Sequence, residues 1–350
     1  MRSGWLYTGA PMSSGNTVRA LVTGAAGFIG SHVVDSCLEL GMEVVATDDL
    51  SGGFRENVPA DAHWVEGDLR DGDFVKSLWD GGRFDHVYHL GAYAAEGLSH
   101  FIRAYNYRTN LEASMHLVNQ AILHEAERFV FTSSIAVYGA GQVPMTEDQT
   151  PQPEDPYGIS KYAVELDLAA AHHMFGLDYT VFRPHNVYGE RQNIADRYRN
   201  VIGIFMNNVL RGKPMPVFGD GLQTRAFSHI SDVAPIIARS PLVPESRNEV
   251  FNIGADTPYT ILDLVKEIAE AFGVEPQVEH LPARNEVVHA FSDHTKVARA
   301  FDPPEPLDLH AGIQRTTEWV KEHGSRDPIE FRGEIEVDRN LPPVWRQPVG

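Results

Sequence analysis

The sequence predicts an α/β fold in which a doubly wound parallel sheet carries a smaller mixed α/β lobe. Three features predict it. Short apolar strands alternate with helical stretches through the first half of the chain, and a glycine cluster sits at the first strand-to-helix joint. Beyond about residue 184 the alternation gives way to polar loops and mixed segments.

Residues 1–16 are rich in Gly, Ser and Pro without any period, and read as a flexible leader. Residues 18–22 form an apolar strand, 31–40 a helix and 43–47 a second strand ending at Asp48, with a Gly/Ser turn over 51–53. A third strand precedes Asp68. The rhythm continues with strands at 86–90 and 128–132 and helices around 110–127 and 157–175, which gives a parallel sheet covered on both faces. Residues 225–239 and 250–253 return to the sheet. The expected organisation is a sheet domain over 17–183 and 225–255, a lobe over 184–224 and 256–325, and a surface tail over 326–350 with no assigned role.

Composition narrows the function classes. The 350 residues are 43% hydrophobic and 22% charged, as in an ordinary globular enzyme. With 29 basic against 48 acidic residues the net charge is −19, which argues against nucleic-acid or anionic-lipid partners. No apolar stretch approaches the ~20 residues needed to span a bilayer, and no secretory signal pattern opens the chain, so a cytoplasmic location is expected. Cys37 is the only cysteine, which excludes an intramolecular disulfide, and the sixteen histidines show no metal-binding spacing.

The strand over 18–22 runs into Gly24-Ala-Ala-Gly27-Phe-Ile-Gly30 and then a helix. In that context each glycine has a role: Gly24 for the tight turn, Gly27 for close approach of a pyrophosphate, Gly30 for helix–sheet packing. The helix N-terminus supplies free N–H groups and partial positive charge. Asp48 stands where a carboxylate takes the adenosine ribose hydroxyls and repels a 2′-phosphate, which favours NAD over NADP. Asp68 and Leu69 are expected to hold the adenine.

Asp155-Pro156-Tyr157-Gly-Ile-Ser-Lys161 reads as a helix start with Asp155 as N-cap and Pro156 at the first helical position. Tyr157 and Lys161 then share a helix face, and a nearby cation favours the phenolate of a tyrosine used as a base. About two dozen residues earlier an apolar strand ends in Thr132-Ser133-Ser134, which places the Ser134 hydroxyl at the carboxyl edge of the sheet, facing the cofactor crevice.

Here a family resemblance becomes specific. TGAAGFIG, Asp48, GDL at 67–69, HLGA at 89–92, TSSIAVYG, PYGISK, RPHNVYG at 183–189 and GDGLQTRAF at 219–227 occur in the order seen in extended short-chain dehydrogenases, over about 17–325. Among these the chain is similar to UDP-glucose 4-epimerases. The resemblance implies a Rossmann domain binding NAD, a nucleotide-sugar substrate, and Ser134, Tyr157 and Lys161 as the catalytic set. It implies a lobe in which Asn186, Arg225 and Arg284 hold the diphosphate and Val217 and Phe218 lie against the base, with Glu96 near the sugar. The expected cofactor surface also includes Phe28, Ile29, Asp49, Leu50, Ser51, Gly53, Leu90, Ala92, Ala94 and Asn110, with His185 beside the nicotinamide. Arginine suits the diphosphate because its rigid fork matches phosphate oxygens; Arg225 is the stronger candidate, because the sequence around Arg284 departs from the family pattern.

Two further reactions remain open within the resemblance. A 4,6-dehydratase would carry an Asp-Glu pair where this chain has Ser134-Ile135. A GDP-mannose 3,5-epimerase would carry a cysteine at Ala136, although HNVYG and GDGLQTR resemble that group, and Glu96 or His185 is then the replacement acid/base. A noncatalytic NAD-responsive binding protein on the same fold is the reading from a different class. Apolar positions Leu111, Met115, Val118 and Ile122, on more than one side of their helix, point to a homodimer.

Overall fold

The computed structural model describes residues 17–283, 289–327 and 331–346. In chain order the strands are β1 (Arg19–Thr23), β2 (Glu43–Asp48), β3 (His63–Glu66), β4 (His86–His89), β5 (Arg128–Thr132), β6 (Tyr179–Pro184), β7 (Val187–Tyr188), β8 (Met215–Phe218), β9 (Thr224–Ala226), β10 (Ser228–His229), β11 (Glu249–Ile253), β12 (Pro258–Thr260), β13 (Val278–Leu281) and β14 (His289–Ala290). The helices are α1 (Phe28–Glu39), α2 (Gly72–Ser77), α3 (Glu96–Ser99), α4 (Arg103–Tyr107), α5 (Ala113–Leu123), α6 (Pro156–Phe175), α7 (Val201–Leu210), α8 (Ile230–Arg239), α9 (Ile261–Phe272), α10 (Thr295–Phe301), α11 (Leu309–His323) and α12 (Pro343–Arg346). None of the described helices is long and apolar enough to cross a membrane.

Seven strands form one sheet in the order β11-β6-β5-β4-β1-β2-β3, and every neighbouring pair is parallel. This is a Rossmann-type α/β fold. Strand residues alternate between its two buried faces: Ala20, Val22 and Val44 pack against α1 and α8, whereas Leu21, Val45 and Val87 pack against α5 and α6. Burial on both faces explains why the strands read as continuous apolar runs. The lobe has its own core, where Phe205 and Met206 of α7 meet Leu264 and Ile268 of α9 and Ile313 of α11, beneath the pairs β8–β13 and β9–β12.

Several boundaries differ from expectation. Helix α1 begins at Phe28, directly after the glycine loop, because Gly30 fits inside the first turn. The helix expected from Asn110 begins at Arg103 and passes through a π-helical turn at Arg108–Glu112 before α5. Val118 is buried in the sheet core, and Leu111, Met115 and Ile122 are partly buried against it. Arg225 lies in β9, within the lobe, and α10 packs on the sheet domain through Val297 and Phe301. Those side chains meet Phe182 and Phe251 on the face that β11 adds late in the chain, which local sequence does not reveal.

One buried ion pair ties β5, β6 and α6 together. The Arg183 guanidinium donates to both oxygens of Glu165, at 3.0 and 2.5 Å, and Ser133 donates to the same carboxylate at 2.5 Å. Both charged side chains are about 95% removed from solvent. Losing one partner of such a pair strands the other charge, so Glu165→Leu should cost about 3–5 kcal/mol in denaturant unfolding, and the double variant Glu165→Leu/Arg183→Met should recover most of it.

Candidate active site

Strands β1 and β4 are neighbours where the sheet order reverses, so their carboxyl ends open a crevice. A cleft of about 1600 Å³ occupies it and extends between the sheet and the lobe. Gly24 leaves β1 with φ 66°, and a Cβ there would lie 2.6 Å from the backbone nitrogen of Gly91, just beyond β4. A Cβ on Gly30 would lie 2.0 Å from the Gly24 carbonyl oxygen. The N-cap of α1 is Gly27, with no side chain to satisfy the first-turn amides, and Gly27, Phe28, Ile29 and Gly30 all line the cleft. Uncapped amides at a helix start facing a cavity suit a pyrophosphate, so the residues present fit a dinucleotide.

Asp48 ends β2 at the cleft, where its carboxylate accepts N–H groups from Ala26 at 3.1 Å and Leu50 at 2.8 Å. Burial holds this carboxyl above the ordinary range. Each oxygen keeps capacity to accept a ribose hydroxyl. Asp49, Ser51, Gly53, Leu69, Leu90, Ala92 and Ala94 also line the cleft. Asp68 lines it as well, but its carboxylate is held by Arg70 in a two-pronged contact at 3.0 and 2.6 Å, which lowers its pKa.

The N-terminus of α6 is fixed from several sides. The Asp155 side chain accepts from Gly158 N at 2.9 Å, Ser99 Oγ accepts from Tyr157 N at 3.3 Å, and Asn106 donates to the Pro156 carbonyl at 2.8 Å. Gly158 packs so closely that a Cβ would lie 2.6 Å from the Ala136 carbonyl oxygen. That contact sets α6 against the 3-10 turn Ile135–Tyr138, whose N-cap is Ser134. Ser134 stands near the Tyr157 phenol and acts to lower its pKa. Lys161, one turn on, donates to the Thr132 carbonyl at 2.7 Å, and its Nζ lies 5.9 Å from the Tyr157 ring centroid.

The electrostatics differ from the expectation of a phenolate prepared by a neighbouring ammonium. Burial raises the Tyr157 phenol above its usual value; Ser134 pulls the other way, while Glu96 and Asp155 raise it further. Burial likewise pushes Lys161 down to about 7, opposed by Glu165. Desolvation is the largest influence on the phenol and favours its protonated form.

Three of the expected residues do not line the cleft. Val217 is fully buried in the lobe core, and strand alternation turns Pro216 and Phe218 to the cleft instead. Asn110 is buried and supports the cleft indirectly, accepting from Tyr93 N at 2.8 Å. Leu50 lies off the cleft wall, in a left-handed turn with φ 56°. Arg284 lies outside the described residues. Glu96, His185, Asn186 and Arg225 do line the cleft. His185 is backed by the Ala226 carbonyl at 3.1 Å and by His294 at 3.1 Å, and burial pushes it down to about 3. Sequence reasoning missed His100, Tyr93, the 193–201 loop and the C-terminal residues Arg339, Asn340 and Trp345 as cleft walls, since no local motif marks them.

The family model for the NAD-dependent epimerase/dehydratase family matches residues 20–254. The chain belongs to that family. It is therefore an NAD-dependent enzyme of the nucleotide-sugar epimerase/dehydratase type, and NAD is its cofactor. It is 31% identical to a UDP-glucose 4-epimerase from Mycolicibacterium smegmatis, over 87% of this chain and 99% of that one. It is 32% identical to a dTDP-glucose 4,6-dehydratase from Streptomyces niveus, over 87% and 94%. Among solved structures, a UDP-glucose 4-epimerase from Thermotoga maritima with UDP-glucose superposes with a TM-score of 0.81 at 34% identity, covering 87% of this chain and 99% of that one.

The buried lysine has a measurable consequence. The unfolded chain holds this proton to about pH 10.4, whereas the folded NAD-free protein releases it near 7. The unfolded state binds more protons between those limits, so stability rises with pH across the window and the penalty is fully present below 7. Lys161→Met should therefore raise the Tm of NAD-free protein at pH 6, by an amount worth roughly 1–3 kcal/mol after loss of the Thr132 hydrogen bond. The gain should shrink to nothing by about pH 10 in thermal melts.

Proposed function

We propose that this enzyme is a nucleotide-sugar 4-epimerase acting through a transient 4-keto sugar, with a UDP-hexose of the glucose/galactose type as substrate. The observation that carries this reading is that Ser134, Tyr157 and Lys161 line the same cleft, with the apolar Ile135 and Ala136 directly after Ser134. Ser134-Ile135 stands where a dehydratase carries its acid pair, and Ala136 where a 3,5-epimerase carries its cysteine. UDP-glucose 4-epimerases among the relatives support the same choice.

In this reading Tyr157 takes the proton from the C4 hydroxyl and later returns it, while Ser134 holds the same oxygen and passes the proton on. Bound NAD supplies a hydride acceptor, and afterwards a hydride donor, at C4. Lys161 orients the ribose and adds positive charge beside the phenol. Asp48 holds the adenosine ribose, the Gly24–Gly30 loop the cofactor pyrophosphate. Asn186 and Arg225 hold the substrate diphosphate and Phe218 packs on the base. Glu96 lines the sugar end and acts on Tyr157, which keeps a 3,5-epimerase with Glu96 or His185 as acid/base as the second reading.

Product analysis in D₂O separates the two. A 4-epimerase should give a C4 epimer with no carbon-bound deuterium, since the carbon-bound hydrogen never meets solvent; deuterium at C3 or C5 would establish the second reading instead. Tyr157→Phe should keep its affinity for NAD and nucleotide-sugar and lose roughly 10²–10⁴-fold in turnover.

We also propose a homodimer. Leu123 on α5 and Leu166, Met174 and Phe175 on α6 are each more than half exposed, a cluster of large apolar side chains on two neighbouring helices. Pairing these helices across a two-fold axis would cover it. Light scattering at micromolar concentration should give twice the chain mass, and Phe175→Glu with Met174→Glu should shift the mass toward a monomer.

A further inference from the structure

Residues 331–346 form a wall of the cleft. At one end the Arg332 guanidinium donates to the Leu50 carbonyl at 3.4 Å, beside the loop where β2 ends. At the other end, α12 carries Trp345 to the rim of α3. Between them Val337, Arg339, Asn340 and Pro342 line the cleft, and Trp345 joins them.

The segment is firmly anchored. The Glu336 carboxylate accepts the N–H groups of Ala104 and Tyr105 at 2.7 and 2.8 Å, which caps the start of α4. The backbone N–H groups of Glu336 and Val337 donate to the Phe101 carbonyl at 2.8 and 3.2 Å. Leu341 is buried with Ala95, Leu98 and Ile102, and the Phe331 ring packs on Tyr105 at 4.8 Å.

Trp345 spans the two halves of the enzyme. Its ring stands edge-on to Phe101 at 6.3 Å on the sheet side and to Tyr198 at 5.4 Å in the loop that leads into the lobe. A Cβ on Gly97 would come within 3.2 Å of the indole, so a glycine there leaves the ring room at the wall. Gly97 lies in α3, whose Ser99 Oγ accepts from the Tyr157 N–H at 3.3 Å. The indole is therefore on the reacting side of the cleft, whereas Phe218 and Arg225 come from β8 and β9 of the lobe.

We infer that the C-terminal segment builds the sugar subsite and that Trp345 is a specificity-determining residue that packs against the hexose. An aromatic face carries negative electrostatic potential and suits the electropositive C–H face of a pyranose, which a hydroxyl-lined wall would hold less selectively. Tyr198 and Phe101 both pack edge-on with the indole and hold it in the cleft wall. A sugar held this way keeps a surface to turn against without leaving the cleft.

The inference rests on the nucleotide-sugar reading of the cleft, and calorimetric titration of NAD-loaded protein tests it apart from that reading. Trp345→Ala should weaken UDP-glucose binding roughly tenfold. UDP, which has no hexose, should bind this variant as it binds the wild type. Trp345→Phe should restore most of the loss. Glu336→Gln, which loosens the anchor without touching the indole, should shift the UDP-glucose to UDP affinity ratio in the same direction and by less. Equal weakening of both ligands, or weakening of neither, would overturn the inference. If the wild type prefers dTDP- or GDP-glucose, the base proposed above is wrong, and the same ratio read with that sugar nucleotide against its own diphosphate still decides the role of Trp345.

Discussion

Everything in the active site depends on how closely two strand ends pass one another. β1 and β4 are hydrogen-bonded neighbours, yet the helix after β1 packs on one face of the sheet and the helices after β4 on the other. Their continuations diverge from a point where Gly24 and Gly91 are in backbone contact, and no side chain fits between them. Divergence leaves the crevice; contact at its base brings the uncapped start of α1 to the crevice wall. The uncapped amides there offer a pyrophosphate a backbone site, which suits a chain of net charge −19.

The catalytic wall is held by buried polar groups that fold at a cost. Glu165 on α6 receives both Arg183 from β6 and Ser133 from the end of β5, so the strand that presents Ser134 and the helix that presents Tyr157 share one carboxylate. The same carboxylate is the charge that most opposes the downward push on Lys161. A single ion pair thus sets the register between hydroxyl, phenol and ammonium. Burial raises the Tyr157 phenol and lowers Lys161, so desolvation favours the neutral form of both.

Around this fixed centre the cleft is assembled from three separate stretches of chain. The sheet supplies the cofactor floor, the lobe supplies Asn186, Phe218 and Arg225, and the C-terminal segment closes the side near Glu96. The apolar cluster of Leu98, Ile102 and Leu341 and the cap that Glu336 places on α4 make that closure part of the folded body.

The sequence alone determined whatever is encoded within a few residues. The GxxGxxG turn needs glycine because of backbone contact, Asp155-Pro156 starts a helix by capping, and the spacing of Tyr157 and Lys161 puts both on one helical face. Apolar runs marked the strands because both faces of the sheet are buried. Tertiary structure decided what depends on distant partners. The outward or inward turn of Val217 against Phe218 follows from which side of β8 the lobe core lies, and Asn110 is taken up by the backbone of Tyr93 and the side chain of Asn106, which α4 and its π-turn bring beside it. The protonation of Tyr157 and Lys161 is set by desolvation, which only the packed fold creates. The C-terminal segment has no local pattern that points to a cleft; its aromatic residues acquire meaning only when Phe101, Tyr105 and Tyr198 are brought beneath them.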